Sequence, residues 1–387
     1  MDKQRKTILI QVGLFFLTVL TTTLAGAEWI YGRFLFLGDD IMTWSDFQAG
    51  LYFSIPLLLI LTFHEFGHYF TAKYHKIKVS LPYYIPLWLG FFGSISLGTM
   101  GALIRIKDHI NNRKKYFDVG VSGPIAGFVV AICFIWYGFT HLPDPSYIYE
   151  IHPEYEQYGF GNIEQAQEGK EGMTMRLGDN LIFWFFRTYV ADQDKLPPMS
   201  EIYHYPILLA GYIALLFTAL NLLPIGQLDG GHITYGLFGK KYHGLIARVL
   251  FTAFIFYAGL GLINVRSLED PSMASLGEFA LYLGLYIYFL FASSFSMFKK
   301  TQDRWVYAVA VMATQFVLSS FLYFEGYSGW LVFAFFVGRF LGIDHPRTIE
   351  DEQLDPGRKL IGWLALIIFV LSFSPRPLIL DIPEGAF

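Results

Sequence analysis

One cysteine, Cys133, stands among 387 residues. That excludes an intrachain disulfide and any site built from several thiolates, and its place inside an apolar run reads as a small buried hydrophobe. Charge is scarce as well. Only 16% of the residues are Asp, Glu, Lys or Arg, the formal net charge is −4, and no basic patch or tail is present, so nucleic acid is excluded as a partner. Low-complexity runs and internal repeats are absent too, which excludes solenoid and array architectures. What fills the chain instead is apolar: 54% of it is hydrophobic, with 39 Phe and 25 Tyr, and runs of about twenty apolar residues recur throughout. This is the composition of an integral membrane protein whose solvent is the lipid bilayer.

Nine apolar runs lie between the charged clusters, at 7–27, 47–72, 119–140, 203–223, 244–265, 276–297, 305–324, 328–342 and 359–375. The eighth is short for a crossing and fits a re-entrant segment as well as a span, so the count expected is eight to nine. The fold class expected is an all-α polytopic membrane protein. Orientation follows from the short connections. Lys3, Arg5 and Lys6, then Lys73, Lys76 and Lys78, then Arg113, Lys114 and Lys115, Lys240 and Lys241, Lys299, Lys300 and Arg304, and finally Arg347, Arg358 and Lys359 all fall on one side if the N-terminus is cytoplasmic. Residues 141–202 carry eleven acidic groups against four basic ones and fall outside. The first run follows six residues without a small-residue cleavage site, and reads as an anchor that stays rather than a removed signal.

Two stretches depart from the plain helical pattern. Residues 83–104, YYIPLWLGFFGSISLGTMGALI, hold four glycines and a Ser-Ile-Ser alternation, which favour strands over helix and predict a hairpin dipping into the membrane. LIFWFF at 181–186, in the outer polar segment, predicts an element that lies along the interface or packs on the helices.

The chemistry is concentrated in LTFHEFGHYF, residues 61–70. A span that should be apolar carries His64, Glu65 and His68, and each ionised group there costs a few kcal/mol or more, so such residues are functional by default. On a helix the two histidines lie one turn apart on one face, about 6 Å along the axis, within reach of one tetrahedral Zn2+. Glu65 then stands beside the metal as a proton acceptor for its water. Zinc needs a third protein ligand, and the candidate is Asp229 in NLLPIGQLDGGH, residues 221–232, where Pro224 and Gly226 break the fourth helix and open a polar pocket. Read by itself, DGG is equally a common turn that Asp229 caps. His232 stands either behind the metal or as an interfacial turn histidine. The stretch GIDHPRT at 342–348 reads as a loop without assigned chemistry.

HEFGH in the second run, with NLLPIGQLDGG after a later helix end, resembles the site-2 protease family of intramembrane zinc metalloproteases. The resemblance implies His64, His68 and Asp229 as zinc ligands and Glu65 as catalytic acid and base. It also implies Asn221 and Pro224 as an Asn-x-x-Pro element with Asn221 near the scissile carbonyl. SGPIAG, Ser122 to Gly127, is similar to the family's core helix, and the hairpin is similar to membrane-dipping strands to which an unwound substrate adds. The implied partition is an N-terminal anchor and outer loop at 1–46, a first core part at 47–140, an outer polar loop at 141–202, a second core part at 203–243 and C-terminal helices at 244–387. The outer loop has about sixty residues and no carboxylate-binding signature, where many family members carry a PDZ domain. The substrates implied are single-pass transmembrane proteins or remnant signal peptides, and the location expected is a bacterial cytoplasmic membrane with the active site near the cytoplasmic leaflet.

Two other readings use the same residues differently. Gly120-Val121-Ser122-Gly123 matches the Gly-x-Ser-Gly of rhomboid serine proteases, with Ser122 as nucleophile, but no later histidine lies deep in a run to act as its base. A metal or ion transporter would use the His, Glu and Asp as transport ligands, yet lacks acidic partners strung across other helices.

Overall fold

A computed structural model describes residues 3–167, 174–262, 276–321, 325–346 and 348–381. Among these, every one of the nine apolar runs holds a helix: α1 (Lys3–Tyr31), α2 (Trp44–Tyr74), α3 (Arg113–Thr140), α7 (Pro206–Leu222), α8 (Asp229–Leu260), α9 (Leu276–Ser293), α10 (Thr301–Phe321), α11 (Trp330–Phe336) and α12 (Pro356–Ser372). Four of them, α1, α2, α3 and α8, are long and apolar enough to cross a membrane by length and composition. The ends of the fifth and seventh runs (263–265 and 322–324) and Glu168, Glu171 and Arg347 lie outside the described residues. Short elements α4 (Ser146–Ile151), α5 (Ile163–Gln167) and α6 (Leu181–Tyr189) occupy the polar segment, and four strands, β1 (Tyr83–Leu87), β2 (Gly98–Leu103), β3 (Thr174–Leu177) and β4 (Leu378–Asp381), form two antiparallel pairs.

The chain separates into two compact units, the first comprising Met1–Ile110, Val121–Asn221 and Ala365–Phe387, the second Asn111–Gly120 and Leu222–Leu364. In the first unit α2 starts cleanly because Thr43 and Asp46 form a capping box. It runs against α1 at a crossing made of small residues, where a Cβ on Gly26 would lie 2.7 Å from the Gly50 carbonyl oxygen. Thr22 and Ser54 hydroxyls bond across the same contact at 2.6 Å. Small residues allow backbones to approach where lipid offers no hydrophobic drive.

The expected hairpin is present, with Tyr83 opposite Leu103, Leu87 opposite Gly98 and an irregularity between Tyr84 and Pro86. The α1 helix supports it. Thr21 donates to the Gly98 carbonyl at 2.7 Å, Trp29 to Ser96 at 2.8 Å, and Trp88 of the hairpin donates back to Glu28 at 2.6 Å. Gly98, at φ 73, lies so close to Thr21 and Thr22 that no side chain fits.

LIFWFF forms most of α6, capped by Asn180, whose side chain accepts from the Phe183 amide at 2.9 Å. Ile182 and Phe183 enter the main core beside Phe139 and Tyr212, while Trp184 and Phe185 stay exposed, so it packs on the helices by one face. Cys133 is exposed on α3, against the burial expected of it. A helix apolar on all sides gives no sequence signal for which stripe meets protein and which meets lipid.

In the second unit Arg113 opens α3 and donates to the Gly236 carbonyl at 3.0 Å, while Arg358 pairs with both oxygens of Asp118 at 2.7 and 2.8 Å. Gly239, at φ 72 and ψ 176, kinks α8. Residues 229–238, expected as part of a connection, are therefore nearly three helical turns ahead of the apolar run rather than loop.

Candidate metal centre

The α2 helix delivers His64, Glu65 and His68 to its buried side, 7%, 6% and 7% exposed. Their Nε2 atoms lie 3.1 Å apart and their rings meet edge to face, 4.8 Å between centroids at 75°. The edge of a zinc tetrahedron with ligands at 2.0–2.1 Å is about 3.3 Å, so the imidazole pair fits the ion that the motif calls for. The fit depends on glycine in the facing helix. A Cβ on Gly67 would lie 2.6 Å from the Ser122 carbonyl oxygen, one on Gly127 would lie 3.0 Å from the His64 Cβ, and one on Gly123 would fall on the His68 ring. Gly123 and Gly127 are four residues apart on α3 and form a floor beneath the two histidines. Ser122 belongs to this backbone crossing. On the other flank the Tyr84 hydroxyl of β1 bonds Thr62 at 2.6 Å, two residues before His64, which ties the hairpin to the motif helix.

Asn221 is the penultimate residue of α7, half-buried. The chain then unwinds over 223–228, with Gly226 at φ 58 and its amide bonded to the Ile343 carbonyl at 3.0 Å. Asp229 does not sit in that unwound stretch. It is the first residue of α8, whose preceding Leu228 gives no side-chain cap. The two following glycines are explained by packing rather than by a turn. A Cβ on Gly231 would lie 2.8 Å from the Ile225 carbonyl oxygen, and one on Gly230 would lie closer still to the Leu222 carbonyl. Asn221 and the histidine pair belong to the first compact unit and Asp229 to the second.

Sequence reasoning missed His345. In the second unit it meets His232 at 2.7 Å, Nδ1 to Nε2, and stacks on Tyr235 at 4.0 Å between ring centroids and 7°. Its own Nδ1 faces the Pro346 carbonyl at 2.7 Å. A carbonyl only accepts, so His345 Nδ1 carries the proton, its Nε2 accepts, and His232 Nδ1 donates. Burial holds His345 below the ordinary imidazole range, at about 4, against the opposing pull of the Pro346 carbonyl. Only the single histidine of GIDHPRT marked it, and separation of 113 residues from its partner hid the pairing.

The chain thus carries a buried His-Glu-x-x-His helix among helices long and apolar enough to cross a membrane. The chain belongs to peptidase family M50, the site-2 protease family, whose family model matches residues 52–265. Its relatives include the probable zinc metalloprotease EGY2, chloroplastic, of Oryza sativa subsp. indica, 24% identical over 275 residues, or 70% of this chain and 41% of that protein. The probable zinc metalloprotease EGY1, chloroplastic, of Arabidopsis thaliana is 29% identical over 240 residues, 62% of this chain and 36% of that one. The chain thus spans about two fifths of the length of these relatives. No solved structure gives a significant match. Membership in this family removes support from the rhomboid and transporter readings.

Proposed function

We propose that the chain hydrolyses peptide bonds of transmembrane segments within the bilayer. The observation that carries the reading is the buried His64, Glu65 and His68 on one turn of an apolar helix, with paired Nε2 atoms at 3.1 Å. His64, His68 and Asp229 are the proposed zinc ligands. They would hold the ion at the buried face of α2, where it would lower the pKa of a bound water toward neutrality and so supply the hydroxide. Glu65, beside His64 on the helix, takes the proton of that water and gives it to the leaving amide nitrogen. Asn221, the proposed donor at the end of α7, carries an amide that can hydrogen-bond the developing oxyanion. A helical substrate hides its carbonyls in its own hydrogen bonds, and the β1–β2 hairpin supports a reading in which an unwound segment pairs as an added strand.

The substrates proposed are single-pass membrane proteins or remnant signal peptides. The basic connections support a cytoplasmic N-terminus. The pairing of β3 with β4 bears on the count: strands that bond to each other lie on one side, so the helices α7 to α12 between them must cross an even number of times, which fits nine crossings in all rather than eight. The membrane proposed is a bacterial cytoplasmic membrane, although the relatives named above are chloroplastic. Purified protein in bilayers, given a transmembrane peptide, is expected to cut it as wild type and to leave it intact as Glu65→Gln with zinc still bound. Retained cleavage by that variant would sink the assignment.

A further inference from the structure

The polar segment of the first unit holds a second pair of histidines. His152 closes α4 and His204 ends the 3-10 turn before α7, yet their Nε2 atoms also lie 3.1 Å apart and their rings also meet edge to face, 4.9 Å at 75°. Glu201 completes a triangle, its Oε2 standing 3.4 Å from His204 Nε2 and 3.9 Å from His152 Nε2. The point equidistant from these three atoms lies about 2.0 Å from each, which is the zinc-to-nitrogen and zinc-to-oxygen distance.

The surroundings fix which atoms face that point. His204 Nδ1 bonds the Ile30 carbonyl, so it carries the proton and leaves Nε2 as a lone pair. His152 Nδ1 faces the Glu154 carboxylate at 3.4 Å, an acceptor on the far side of the ring from His204. Glu201 is fully buried, and its other oxygen accepts from the Tyr155 hydroxyl at 3.0 Å and from the Gln167 amide. Each ligand is thus oriented by a partner on its far atom, which is how protein metal sites hold their ligands.

We propose that His152, Glu201 and His204 bind a divalent first-row metal ion, zinc in the first instance, at a site separate from the HEFGH motif. Two imidazoles and one carboxylate suit zinc over calcium or magnesium, which prefer oxygen. The His152 side chain is 26% exposed, which leaves an entry path and a fourth position for water. Bound there, the ion clamps α4 and the 3-10 turns on the start of α7, the helix that ends at Asn221, and so anchors the polar segment.

The test counts metal in the full-length protein, purified in detergent, stripped with chelator and reloaded with Zn2+. Two equivalents are expected for wild type and one for His64→Ala/His68→Ala, and adding His204→Ala should leave none. In the His64→Ala/His68→Ala background, Co2+ should give the visible d–d absorption of a four-coordinate site, and Glu201→Gln should weaken Zn2+ binding by about tenfold or more. One equivalent in wild type with none in His64→Ala/His68→Ala would overturn the proposal, and a cluster held together by a proton gives that result. Both of those proteins keep the second cluster intact, so the count decides even if every variant of the cluster fails to fold.

Discussion

The two histidine pairs have nearly the same ring geometry and opposite origins. His64 and His68 are one turn apart on α2, so any helix through that sequence brings them together. His152 and His204 are 52 residues apart and meet only in the tertiary fold, His152 beside a small core of Ile148, Tyr155, Ile163 and Ala166 and His204 at the turn before α7. The first pair is inseparable from its helix and can fail only in its surroundings. The second is a product of tertiary structure and reports on it.

The largest effect expected falls on chemistry at the first pair alone. Glu65→Gln removes the proton relay without touching either imidazole, so cleavage of a transmembrane peptide should drop roughly a thousandfold. Zinc content should stay at the wild-type value by mass spectrometry, and a loss of metal would recast Glu65 as a ligand. Next in size is Asp229→Ala. Loss of one ligand of three should weaken zinc at the first pair by about a hundredfold while the equivalent at the second pair persists, read as a fall from two to one at limiting free zinc. An unchanged metal count would remove Asp229 from the coordination sphere and return the DGG stretch to a packing role.

A smaller effect separates ligand from support. Gly123→Val places a branched side chain where the His68 ring lies, so α3 must move off α2. Overpacking of this kind costs about 1–3 kcal/mol, and thermal unfolding should show it together with weaker zinc binding at the first pair. Metal at His152 and His204 should be unaffected. If the second site loses metal equally, the two pairs are coupled through the first unit rather than independent.

These differences also explain what was legible in the sequence. Periodic, local features could be read: the nine apolar runs, the HEFGH face and the Gly-rich hairpin all depend on residues within a few positions of each other. SGPIAG was recognised as a stretch, but its purpose, a glycine floor under two imidazoles, needed the partner helix. Pro224 and Gly226 end a helix, and by that signal alone Asp229 reads as unwound chain. What no local signal revealed is that the backbone turns within six residues and begins α8 at Asp229 itself. The hydrogen-bonded pairs His152–His204 and His232–His345 were invisible, since nothing in a lone histidine says which distant segment it will meet.

The smallest effect expected concerns that last pair. His345 is held neutral by burial, its pKa lowered from about 6.5 to about 4, and it faces His232, His243, Tyr116 and Tyr235. A folded-state pKa below the unfolded one means that the unfolded chain binds the extra proton first. The stabilising contribution is therefore complete above pH 6.5 and is lost as pH falls toward 4. At pH 5 the loss from this residue should be roughly 2 kcal/mol. Thermal unfolding in detergent from pH 7.5 to pH 5 should show a falling midpoint, and His345→Gln, which does not titrate, should make that fall shallower while lowering the midpoint at pH 7.5. An equal slope in both proteins would mean that the His232–His345 contact opens before it protonates, and that this long-range pair, unlike the one on α2, is not held by the fold at acid pH.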